Sequence, residues 1–179
     1  MGRVLEVPYR SQWDDDARLS SADCGPACLA MVLGYYGVQA RIDDLFAATG
    51  MPPGRYISFD QLMGVGRSCG VEFAYSAGNA LDDLKGWIDA GKPALALVQY
   101  RYWSRHRPPI TQDSIQGPHF VVVVGYDDRG HVVVNDPAYW GARRQEGQRK
   151  AYPEALFSQA WLNLDPPNAN GAAIVPVAK

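Results

Sequence analysis

Cys24, His119 and Asp136 lie far apart in the chain, and together they are the residue types a thiol acyl-transfer site needs. Cys24 follows Asp23, a residue type favoured at helix N-caps, and Pro26 falls in the first turn, where its missing N–H costs nothing. The run 24–36, CGPACLAMVLGYY, puts Cys24, Cys28, Met31, Val32 and Tyr35 on one face at helical spacing, with Gly37 as the stop. Cys24 is therefore expected at a helix N-terminus. Unpaired backbone N–H groups and the helix dipole there favour the thiolate, the form that attacks a carbonyl carbon. The charge of Asp23 works against the thiolate unless capping holds its carboxylate. Gly25 lets a substrate approach closely.

A hairpin supplies the partners. The runs 119–126 and 131–135 read as strands, and Asp127-Asp128-Arg129-Gly130 connects them. With that turn, Tyr126 faces His131, Val121 faces Asp136 and His119 faces Ala138. His119 and Asp136 become diagonal neighbours on one face, about 7 Å apart at the backbone. A carboxylate that accepts from one imidazole nitrogen fixes the tautomer and leaves the other nitrogen to take the thiol proton. The same count sends His131 to the far end as a structural or exposed residue. Gln12 has a side-chain amide able to join the Cys24 N–H in holding a developing oxyanion.

The other cysteines have plainer readings. Cys28, one turn inside the helix, is expected to be inert packing, and Cys69 to end the third helix as packing. Three cysteines are an odd number for a disulfide scaffold. A zinc site is not expected, because no CxxC knuckle and no nearby histidine accompany them.

Further helices are predicted at 41–48, 58–69, 80–90 and 153–161, and further strands at 94–100 and 172–177. The layout is α+β: a helical half over about 12–91 packs on an antiparallel β half over about 92–179, with a cleft between them, in a single domain spanning 1–179. The segment 101–117 is too polar and Pro-rich to be core. Its Arg101, Arg105 and Arg107 with Tyr102 and Trp103 form either a substrate grip or a solvated loop, and loop position alone does not decide between them. The acidic run Asp14-Asp15-Asp16 reads as a solvated turn.

Composition limits the classes. The 179 residues are 47% apolar and 20% charged, with five Trp and ten Tyr, which excludes a disordered chain. A net charge of −2 gives no general footprint for nucleic acid or an anionic membrane. The longest apolar run, 120–124, is far too short to span a bilayer, the start carries no signal-peptide pattern, and Glu6 breaks a myristoylation motif. A cytoplasmic location is expected.

VPYRSQW (7–13), DCGPACLAMVLGYYG (23–37), GPHFVVVVGYD (117–127) and VVVNDPAYWG (133–141) together resemble the bacteriocin-processing, double-glycine-leader peptidases and their stand-alone relatives, which are papain-like cysteine peptidases. The resemblance implies a papain-like fold with Cys24 as nucleophile, His119 as general base, Asp136 as its orienting residue and Gln12 in the oxyanion hole. It also implies a peptide or protein substrate and no cofactor. Tyr139 and Trp140, in the last motif, join Gly25, Tyr102 and Trp103 as candidate substrate contacts. No membrane helices or ATPase domain follow in this chain, so coupled export is not implied, although a separate exporter remains compatible. The expected activity is hydrolysis of a peptide or related amide through a thioester. The alternatives are a transglutaminase-like acyl transfer on the same triad and a non-catalytic peptide-binding module of the same fold.

Overall fold

The computed structural model describes residues 1–17, 23–104 and 117–178. At its centre runs α1 (Cys24–Tyr35), buried at every position from Cys24 to Leu33. Its spacing suggested one apolar face. The observed helix is enclosed on all sides, as befits one whose alanines, glycine and aliphatics leave no polar face to hydrate. Asp23 occupies the N-cap position and its carbonyl accepts the Ala27 N–H at 2.8 Å, but its side chain makes no capping bond to the helix. Helices α2 (Ile42–Ala48), α3 (Phe59–Ser68) and α4 (Leu81–Asp89) follow at the expected places. A reciprocal capping box starts α3: Gln61 N–H donates to Ser58 Oγ, and Ser58 N–H donates to Gln61 Oε1.

Seven antiparallel strands form one sheet: β1 (Arg3–Val4), β2 (Glu72–Ser76), β3 (Ala94–Gln99), β4 (Pro118–Tyr126), β5 (His131–Asn135), β6 (Lys150–Pro153) and β7 (Ala173–Ala178). Their order is β2-β7-β3-β4-β5-β6, with β1 alongside β4. Two short helices, α5 (Arg101–Ser104) and α6 (Glu154–Trp161), complete the fold. Residues His119 to Gly125 of β4 are buried without a break, which marks a strand covered on both faces. Both α1 and α4 pack on β3 and β4.

Three departures from the sequence reading have simple causes. Strand β2 belongs to the N-terminal, mainly helical stretch yet pairs with β7, so the sheet draws strands from both halves. The start of the polar segment 101–117 is core after all: α5 buries Trp103 completely, stacked on Tyr152 at 4.1 Å, because one large aromatic outweighs its polar neighbours. Arg105 and Arg107 lie outside the described residues. The acidic run is solvated only at Asp15, which is exposed in a turn as expected. Asp14 meets Arg144 Nε and Nη2 at 2.7 and 2.9 Å, and Asp16 meets Arg10 at 2.5 Å and the Ile42 N–H at 3.1 Å.

Candidate active site

The β4–β5 hairpin sets the first two residues. Tyr126 pairs with Val132 rather than His131, because the connection is one residue shorter than counted: Asp127 N–H donates to the His131 carbonyl at 3.0 Å and leaves only 128–130 to make the turn. A β-bulge at Val124 then restores the count, so Val123 faces Val134 and Val122 faces Asn135 as the spacing required. The bulge has a structural use, since the Val124 carbonyl accepts from Leu5 N–H beside β1 at 2.7 Å. His119 and Asp136 therefore meet: Nε2–H donates to Oδ1 at 2.9 Å, an ionised carboxylate being able only to accept. Both side chains are buried, at 1% and 0% exposure. The Asp136 carboxylate also accepts from Ala138 N–H on Oδ1 at 3.0 Å and from Tyr100 O–H on Oδ2 at 3.1 Å.

Cys24, the first residue of α1, lies close enough to the His119 ring for the thiol to act on the imidazole electrostatically. Since Nε2 is engaged by Asp136, Nδ1 is the nitrogen left for the thiol. Burial works against a charged imidazole here, but the Asp136 charge and hydrogen bond, with a smaller contribution from Cys24, outweigh it and raise the His119 pKa to about 9. Cys28 differs sharply. It is fully buried, and burial pushes its thiol well up, with the charges of Cys24 and Asp136 adding to the effect. Cys69 is the half-buried C-cap of α3. Cys28 and Cys69 thus occupy the packing positions expected of them.

Gln12 enters on a strap laid along the segment that follows Asp136. Its backbone N–H donates to the Pro137 carbonyl at 2.9 Å, and its side chain is buried. The Ser11 hydroxyl lies between the carbonyls of Tyr139 at 2.6 Å and Pro137 at 3.2 Å. Tyr9 O–H donates to the Asp136 carbonyl at 2.8 Å. Gly147 is needed at this crossing, because a Cβ there would collide with the Tyr9 hydroxyl and the Asp136 carbonyl. The Asp14–Arg144 fork clamps the strap. Burial opposes charge on Asp14, but Arg144, the Ser11 N–H and Arg10 hold its carboxyl below the usual range. Sequence spacing did not reveal this strap, because its contacts join residues some 130 positions apart.

The candidate substrate contacts divide. Trp103 and Tyr139 are fully buried, which removes both from contact with a bound peptide. An added Cβ at Gly25 would press on Phe120 and Leu62 at 3.2 and 3.3 Å, so its missing side chain serves packing here. Tyr102 is half-buried with the Arg101 guanidinium 5.3 Å from its ring. Trp140 alone is well exposed, at 40%. It has a companion the sequence reading did not name: Trp13, 41% exposed, with ring centroids 6.0 Å apart. Tyr100 was also missed, since an aromatic at the end of a buried strand reads as packing until its partner across the sheet is known. Among the described residues, no group of three His, Cys, Asp or Glu side chains is placed to hold a metal ion. No helix among them is long and apolar enough to cross a membrane.

A helix-start thiol against an imidazole, with a carboxylate behind it on an antiparallel sheet, is the arrangement and fold of the papain-like class. The match to the family described as Peptidase_C39 like, over residues 4–167, is direct, and the chain belongs to that family. No curated protein matches it. Among solved structures it is similar to a protein from Bacillus anthracis described as a C39-like peptidase, with a TM-score of 0.67 and 19% identity over 100% of this chain and 98% of that one. It is also similar to the peptidase domain of Streptococcus ComA, a bi-functional ABC transporter of a quorum-sensing pathway: TM-score 0.66, 19% identity, 97% and 100% coverage. A third is a double glycine motif protease from an AMS/PCAT transporter, solved with its leader peptide: TM-score 0.63, 18% identity, 97% and 94% coverage. At these identities the likeness defines the fold.

Proposed function

We propose that this protein is a cysteine peptidase working through Cys24, His119, Asp136 and Gln12. The Cys24 thiolate attacks a peptide carbonyl, and the tetrahedral oxyanion accepts hydrogen bonds from the Gln12 amide and the Cys24 N–H. That N–H is among those at a helix start that have no partner within the helix. His119, as imidazolium, gives its proton to the departing amine, leaving a thioester. It then takes a proton from water, whose hydroxide releases the acid and regenerates the thiol. The substrate is a peptide segment. Trp140 and Trp13 offer it an exposed apolar surface next to Gln12.

The observation that carries the reading is the buried His119–Asp136 hydrogen bond, with the Cys24 thiol at the start of α1 acting on the same imidazole. A thiol probe such as iodoacetamide should label Cys24 ahead of Cys28 and Cys69 at neutral pH. Cleavage of a peptide library, read by mass spectrometry, should vanish in Cys24→Ala and stay nearly intact in Cys28→Ala. The reverse pattern overturns the assignment. Amine-capped products appearing in place of free acids would make the enzyme an acyltransferase. Absence of both labelling and turnover would leave a peptide-binding module.

A further inference from the structure

Behind the pair of His119 and Asp136 stands Tyr100, which no motif singled out. It follows β3 directly, and its N–H donates to the Gly117 carbonyl at 3.0 Å, fixing it beside the start of β4. Two residue pairs earlier, Val98 faces His119 across the two strands. The ring is buried, with its centroid 4.6 Å from the imidazole in an edge-on arrangement. Its hydroxyl donates to Asp136 Oδ2 at 3.1 Å. Behind it, Trp103 meets the Tyr100 ring at 5.9 Å and stacks on Tyr152, so the phenol is backed by rigid aromatics.

We propose that Tyr100 is a positioning residue for the proton-transfer pair, holding the second oxygen of Asp136 and one side of the His119 ring. Asp136 can turn its Oδ1 away from His119 only by breaking the Tyr100 bond, because the two oxygens are held by different partners. The hydroxyl also draws off part of the carboxylate's negative charge. Removing it leaves a more basic carboxylate against the imidazole, which strengthens the hold on the imidazolium proton. Among the described residues, the other titratable groups acting on the pair include Cys24 and Cys28 from α1 and Tyr9 from the strap, whose hydroxyl donates to the Asp136 carbonyl.

The inference rests on the reading of Cys24 and His119 as the working pair, so the test separates the two. Histidine side-chain NMR, with the signals assigned by His106→Gln and His131→Gln, follows the titration of His119 in the full chain. Tyr100→Phe keeps the ring and loses only the hydroxyl. It should move the His119 midpoint upward by about half a pH unit. Trp103→Phe disturbs the same aromatic stack without touching Asp136, and should lower the melting temperature while leaving that midpoint in place. Incorporated 3-fluorotyrosine, a stronger donor, should move the midpoint downward and serves even if Tyr100→Phe folds poorly. An unmoved midpoint in both Tyr100→Phe and the fluorinated protein overturns the role of Tyr100 while leaving the peptidase reading intact. Failure of iodoacetamide to prefer Cys24 in the wild-type protein removes the peptidase reading whatever Tyr100 does.

Discussion

The β4–β5 hairpin carries two histidine–aspartate pairs, one at each end and both at 2.9 Å. His119 and Asp136 are buried, and a thiol acts on the His119 imidazole. His131 and Asp127 are 30% and 34% exposed, four residues apart across the turn. Their carboxylates are used differently. Asp127 Oδ1 accepts the N–H groups of Arg129 and His131 at 2.9 Å each, so it shapes the turn, whereas Asp136 turns its oxygens to His119, Ala138 and Tyr100. Burial opposes charge on Asp127, yet the His131 and Arg129 N–H groups keep its carboxyl below the usual range. Distance alone does not make a proton-transfer pair. Exclusion of water makes the charge of Asp136 count at His119, and in the proposed mechanism the neighbouring thiol is the proton's other partner.

Deleting each histidine breaks the comparison most directly. His119→Ala should lower kcat/KM on a cleaved library peptide by about 10² to 10⁴, the usual value of a positioned acid–base group. His131→Ala should stay within about twofold of wild type, as surface substitutions generally do. Peptide turnover followed by mass spectrometry reads both. Comparable losses in the two variants would show that burial is not what separates the pairs.

The carboxylates give a smaller effect with a definite sign. His119 holds its proton until about pH 9, and above that pH it cannot protonate the leaving amine, so kcat/KM should fall on the alkaline side near there. In Asp136→Asn the charge that overcomes burial is gone, and burial then favours the neutral ring. The alkaline limb should therefore move to lower pH. Asp127→Asn should leave it in place. A pH–rate profile with an unmoved limb in Asp136→Asn would mean that another group sets it.

How much of this was legible depends on whether the determinant was local. The helix carrying Cys24 was readable from CGPACLAMVLGYY, since proline lies within the run and cap and stop directly flank it at Asp23 and Gly37. The hairpin count reached the right pairing at Val122 and Asn135 through two cancelling departures, a shorter turn and the bulge at Val124. Neither leaves a composition signal, because VVVV looks the same with or without an extra residue. The Asp14–Arg144 clamp was invisible for another reason. Three successive aspartates look solvated until an arginine from the far end of the chain arrives beside them. Trp103 was misplaced among polar neighbours, since burial of one side chain is decided by the surface it lands on.

Salt gives the smallest expected effect and sharpens the comparison last. An exposed ion pair feels the Debye length, which falls from about 10 Å at 0.1 M to about 3 Å at 1 M, while a buried pair is screened much less. At acidic pH, where imidazole carries charge, the difference in melting temperature between wild type and Asp127→Asn should shrink as salt rises from 0.1 to 1 M, by the change in screening just given. The alkaline limb governed by His119 and Asp136 should not follow that dependence, because both partners lie out of contact with solvent ions. Paired scans of melting temperature and of the pH–rate profile at the two salt concentrations measure both. A limb that slides with salt as far as the Asp127 difference does would place His119 and Asp136 in contact with solvent, and would remove the physical ground for treating one pair as a catalytic device and the other as a turn.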